Sequence, residues 1–238
     1  MKLGIMQPYF FPYPGYFDLI RKTDRWVVFD TPQYTPRTWM NRNRILHPAE
    51  GWQYITVPVE KFPRFAPMTA IRVKEPEASR DKVLRQLEHY RRHAPRYDDA
   101  VAVVTEGFAR RRSDSLVDVN VACLAAVCEY LGMAFNHALF SEMDLRLPEI
   151  DHPGKWALEI CRAMGADEYV NAPGGRELFD PKAFRESGIA LRFGTIREFV
   201  YPTRPYAFTP HLSILDCIMW CTPEEITAFL DEGGTEPA

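Results

Sequence analysis

The stretch from residue 2 to residue 30 constrains this chain most. Lys2-Leu3-Gly4-Ile5-Met6 reads as an apolar strand, Tyr16 to Lys22 as a helix, and Trp26-Val27-Val28-Phe29 as a second strand closed by Asp30. A strand, a short helical crossover and another strand make the start of a βαβ unit. The alternation continues. Gln53 to Val59 reads as a strand with a proline at its edge, Ile71-Arg72-Val73 as a short strand, Phe135 to Phe140, Tyr169-Val170 and Ile189 to Phe193 as further strands. Helical spacing runs from Ser79 to a stop at Pro95, from Ser115 to Leu131 with Gly132 as its stop, and from His152 to Met164. Pro181 to Ser187, Leu212 to Trp220 and Pro223 to Leu230 complete the set.

This pattern predicts an α/β fold with a mainly parallel sheet and flanking helices. The expected organisation is one domain over residues 1–238, with a helical insertion or lid at about 79–133 and a flexible tail at 232–238. The length suffices for a substantial core. A formal net charge of −3 argues against a protein devoted to a phosphate backbone. The N-terminus enters a strand at once and does not read as a signal peptide, and no run reaches the roughly 18 apolar residues of a membrane span. A cytoplasmic location is expected. Cys123, Cys128, Cys161, Cys217 and Cys221 sit in apolar, helix-like stretches, as reduced core cysteines do.

Between the first strand and the first helix lies Gln7-Pro8-Tyr9-Phe10-Phe11-Pro12-Tyr13-Pro14-Gly15-Tyr16-Phe17, eleven residues with three prolines and six rings. In open α/β sheets, ligands bind beyond the carboxyl ends of strands, where such loops lie. Gln7 can donate and accept there, Gly15 permits close approach to the backbone, and the helix N-terminus offers N–H groups to an anion. Tyr9, Tyr13 and Tyr16 are the rings nominated for packing on a ligand; the plainer reading is a turn whose rings cap the core. Trp39-Met40-Asn41-Arg42-Asn43-Arg44 follows in a polar region, residues 31 to 52, that reads as irregular. The arginine forks suit phosphate or carboxylate, and Trp39, Asn41 and Asn43 add a ring and amides; a solvated loop is the alternative. If this segment is extended, Arg42 and Arg44 share one side and Asn41 and Asn43 the other.

Two later stretches are candidates as well. Asn171 follows a strand expected on the same edge as the first loop, and Gly174-Gly175 permits close backbone approach, though a glycine pair is also a common turn. In His211-Leu212-Ser213-Ile214-Leu215-Asp216, Ser213 sits at a helix start, and His211 and Asp216 are the candidate bases. His89 and His93 are surrounded by Arg91, Arg92 and Arg96, which reads as a basic surface rather than a metal site.

Two resemblances add to this. The strand, loop and first helix resemble the nucleotidyltransferase and HIGH-motif superfamily, with Tyr13-Pro14-Gly15-Tyr16 standing where His-x-Gly-His would be. That likeness implies a Rossmann-like, nucleotidyltransferase-like sheet and activation of an acyl group by ATP with magnesium. More specifically, QPYFFPYPGYFDLI, W-x-NRNRI, ITVPV, CRAMGADEYVNAPGG, LFDPKAFRESGIALRF and HLSILDCIMW together resemble the WbqC-like protein family, from Gly4 to about Cys221. The resemblance implies a glycine or aminoacyl transferase of O-antigen or related polysaccharide biosynthesis. Its partner would be a small-molecule substrate such as a nucleotide-linked amino sugar. It brings no assigned catalytic residues. The arginine-rich middle helices and IDHPGKWALEI depart from the family pattern. A non-catalytic nucleotide-sugar or partner-binding protein, and a transferase using charged tRNA, are the alternative readings.

Overall fold

The computed structural model describes residues 1–195 and 197–238. The main sheet is built from β1 (Lys2–Met6), β2 (Arg25–Val28), β5 (His137–Leu139), β6 (Glu168–Asn171), β7 (Ala190–Gly194) and β8 (Thr235–Pro237), in the order β5-β2-β1-β6-β7-β8. All pairings are parallel except β7 with β8. The chain starts at the centre, builds outward through β2 to β5, then crosses back to lay β6 and β7 on the other side. This doubly wound, Rossmann-like order has its switch point between β1 and β6.

Alternate strand residues face opposite layers. Trp26 and Val28 join one buried cluster with α1 (Pro14–Arg21), α2 (Pro76–Leu87), α3 (Tyr97–Ala109), α4 (Leu116–Tyr130), α7 (Ile214–Trp220) and α8 (Pro223–Glu232). Leu3, Ile5 and Val27 join a second cluster with α5 (Lys155–Met164) and α6 (Pro181–Glu186). Gly4 is required at the centre of β1, because a Cβ there would lie 2.4 Å from the Trp26 ring. The helices of the 79–133 stretch bury Val83, Leu87, Val104, Phe108, Val119 and Leu124 in the same cluster as α1 and α7. Among the described residues no helix is long and apolar enough to cross a membrane.

Residues 31 to 52, expected to be irregular, contain most of a hairpin. β3 (Arg42–Leu46) pairs antiparallel with β4 (Trp52–Thr56) as a sheet of its own. Pairing to β4 and burial of Ile45 and Leu46 outweigh the low strand propensity of Asn and Arg. Ile71 to Val73 forms only isolated bridges, Val59 to Val73 and Arg72 to Ser115. Within the tail, Thr235–Pro237 forms an edge strand, β8, on β7. It is held by backbone bonds and by the Arg176–Glu236 ion pair, which need no apolar pattern in the tail itself.

Candidate functional site

The aromatic loop leaves the carboxyl end of β1 with its carbonyls tied down one after another. Tyr16 donates its hydroxyl to Gln7 O (2.8 Å), and Asn120 of α4 donates Nδ2 to Pro8 O (2.8 Å) and to Met40 O (2.7 Å). Asn43 of β3 donates Nδ2 to Phe10 O (3.1 Å) and Phe11 O (2.9 Å). Ser213 Oγ also donates to Phe11 O (2.7 Å), and Ile214 N to Pro12 O (2.9 Å). Three segments distant in sequence thus fix one loop. These bonds and the fully buried rings of Phe10 and Phe11 hold Phe11 at φ 38°, a left-handed backbone that a bulky residue adopts only when its surroundings compel it.

Three cavities meet at Tyr9. The largest, about 480 Å³, lies beyond the carboxyl ends of β1, β2 and β6 at the switch point, lined by Gln7, Tyr9, Phe29, Trp156 and Asn171 among others. A second, about 440 Å³, shares Gln7 and Tyr9 with the first and adds Arg37, Trp39, Arg42 and Tyr54. A third, about 250 Å³, shares Tyr9 and Trp39 with the second and adds Tyr13, Asn43, Arg44 and His211. Burial pushes the Tyr9 phenol up, and that of Tyr13 likewise with help from the Asp18 charge, so both are neutral near pH 7.

β3 supplies the positive charge. The Arg42 guanidinium lies 3.9 Å from the Tyr54 ring centroid, and Arg44 stands between Trp39 (5.5 Å) and Trp52 (5.1 Å). Neither is bridged to a carboxylate among the described residues, and the Nε of each is buried without a hydrogen-bond partner. Arg44 Nη2 donates to His211 O (3.1 Å), which fixes His211 at φ 56° with its ring edge-on to Tyr13 at 6.3 Å.

The structure brings together Gln7, Tyr9, Tyr13, Trp39, Arg42, Asn43, Arg44, Asn171 and His211 around these cavities. Other nominated residues serve the scaffold. Tyr16 is buried beneath the loop. Asn41 is buried and donates to Val57 O (3.1 Å), while both Nδ2 bonds of Asn43 go to the loop. Ser213 is wholly buried as the N-cap of α7, accepting from Leu215 N. Asp216 is buried, accepting from Tyr90 and from Tyr201 (2.7 Å); burial lifts its carboxyl to about 6. Two phenols, not a cavity, face that carboxylate, so it lacks the substrate access a base requires.

The expected anion site at the start of α1 is not built. Pro14 has no N–H, Tyr16 N is bonded to Tyr13 O, and the Tyr13 ring covers Gly15, where a Cβ would meet it at 2.4 Å. The space beside Gly15 is about 20 Å³, room for a single water. Gly174 and Gly175 lie in a 3₁₀ turn, Pro173–Leu178, and line none of the three cavities. The five cysteines are buried, and burial raises the thiols away from reactivity, Cys128, Cys161 and Cys221 to about 12. Sequence reasoning missed Asn120, Phe29 and Trp156. Asn120 carried a signal, being an amide among the apolar residues of Leu116 to Leu124.

The fold and site define a doubly wound α/β protein with an aromatic crevice at the switch point and a wall of uncompensated arginine beside it. The chain belongs to the WbqC-like protein family, whose model matches residues 7–228. It is similar to the uncharacterized protein Rv1507c of Mycobacterium tuberculosis (strain ATCC 25618 / H37Rv), 30% identical over 218 residues, which cover 91% of this chain and 92% of that one. No solved structure matches the chain.

Proposed function

We propose that the protein is a transferase that forms an amide bond, moving an aminoacyl or acyl group, such as glycyl, to the amine of a nucleotide-linked amino sugar. The observation that carries this reading is the meeting of three cavities at Tyr9, one uncharged and rich in rings, one with free arginine charge and one with an imidazole at its rim. Such a run accommodates a long, partly anionic acceptor and leaves its far end open to a second substrate. In the reaction the amine nitrogen attacks the acyl carbonyl carbon and the new C–N bond forms. The bond from that carbon to the leaving group breaks, and the group departs with the electron pair. His211 takes the proton lost by the amine. An acyl adenylate, made from ATP with magnesium, is one donor that supplies its own leaving group.

A transferase using charged tRNA is the second reading. Of the arginines in the middle helices, Arg80, Arg96, Arg110 and Arg111 are engaged by carboxylates. Arg85 and Arg92 are exposed with no carboxylate partner among the described residues, and they leave charge free for a phosphate backbone.

The test is mass spectrometry of nucleotide-linked amino sugars incubated with the protein, glycine, ATP and magnesium, and in parallel with glycyl-tRNA. An acceptor heavier by one glycyl group is the expected product. His211→Asn, which tolerates the left-handed backbone, should lower its rate by roughly 10²–10⁴-fold. Binding of the acceptor without any acyl product from either donor would make the protein a non-catalytic binder.

A further inference from the structure

The three cavities differ in chemistry in an order that fixes which end of a ligand goes where. The switch-point cavity has no cationic side chain in its lining; its walls include the rings of Tyr9, Phe29 and Trp156, the last two 5.5 Å apart between centroids. It is not wholly apolar either. The Gln7 side-chain amide lines it with no hydrogen bond to a described residue, and Asn171, buried at the end of β6, lines it as well. An uncharged planar ring with hydrogen-bonding edges fits such a place better than an alkyl chain, which would leave the Gln7 amide without a partner; Asn171 Oδ1 already accepts from Ala172 N (2.7 Å). The next cavity, reached past Gln7 and Tyr9, holds Arg37 and Arg42, and Arg42 has a buried Nε without a partner. The third, reached past Tyr9 and Trp39, holds Arg44 and His211.

We infer that the switch-point cavity is a nucleobase subsite, with the base against Phe29 and Trp156, the diphosphate passing Tyr9 onto Arg42, and the sugar lying toward His211. This reverses the use of the α/β edge in which phosphate meets the first helix, an arrangement closed here by Pro14 and the Tyr13 ring. The inference rests on the reading of the acceptor as nucleotide-linked.

Calorimetric titration of the whole protein with UDP, dTDP, GDP, ADP and inorganic pyrophosphate tests it without any acyl donor. At least one nucleoside diphosphate should bind roughly 10- to 100-fold more tightly than pyrophosphate, the range that stacking of one base on aromatic rings provides. Trp156→Ala should close most of that gap while leaving pyrophosphate binding unchanged, and Arg42→Gln should weaken both ligands. Equal affinity of pyrophosphate and all four nucleotides for the unaltered protein would overturn the inference, whatever the variants do. So would displacement of the bound nucleotide by dodecanoate at equal concentration, which would make the cavity an acyl-chain site. The two proposals fail separately. Base-dependent binding with no amide product removes the transferase and keeps the subsite; amide formed equally well from an amino sugar 1-phosphate does the reverse.

Discussion

Asn43 and Asn120 show how a side chain with the chemistry to hold a ligand can be spent on the backbone instead. Each uses one amide nitrogen for two carbonyls, and in each case at least one belongs to the aromatic loop. Asn43→Ala would leave buried acceptors of the loop short of donors, at on the order of 1–3 kcal/mol for each group left unsatisfied. A lower urea midpoint with an unchanged slope is the expected result. Asp216 gives a second prediction. Burial raises its pKa from 3.8 to about 6, so the folded state holds a proton that the unfolded chain has released between those values. The stability contribution from this group is therefore greatest below about pH 4 and falls as pH rises to 6, by on the order of 2–3 kcal/mol. The difference in unfolding free energy between the native protein and Asp216→Asn, followed from pH 4 to 7, should show that slope. At this scale the sequence revealed residue types well and roles poorly. The donors of Asn41, Asn43 and Ser213 look alike on paper whether they face a ligand or a carbonyl, and only the path of the loop distinguishes the two.

At the scale of elements, strands and helices with a strong apolar rhythm were legible to within a few residues: β1, β2, α4, α5, β7 and α8 form where spacing and stop residues place them. β3 and β8 carry little signal of their own because each exists through a partner strand, whereas Ile71 to Val73 has a strand-like pattern but finds only isolated bridges. The helix pair that carries Asn120 depends on a close approach. A Cβ on Gly107 of α3 would stand 3.0 Å from Cys123 Cα of α4. Gly107→Leu should overpack that contact and cost about 1–3 kcal/mol, read as a lower thermal midpoint. Because α4 carries Asn120, weaker nucleotide binding should accompany it. Deleting residues 234 to 238 removes β8 from the far edge of the sheet, away from all three cavities. It should lower the melting temperature and leave nucleotide affinity unchanged; calorimetry on the truncated chain reads both.

Across the whole molecule, site and topology are one problem. The strand order β5-β2-β1-β6-β7 opens a crevice where β1 and β6 diverge in their connections, and the tied-down loop floors it. The general position of that crevice was legible, because a parallel sheet directs its ligand to the carboxyl ends of its strands. Its polarity was not, because whether α1 or β3 presents the positive charge depends on where the Tyr13 ring folds. The most direct measurement is a crystal structure of the protein with a nucleoside diphosphate-linked amino sugar. The base is expected at Phe29 and Trp156, the phosphates at Arg42 and the sugar amine toward His211. Density for the phosphates at the start of α1, or for the ligand outside the three cavities that meet at Tyr9, would contradict it.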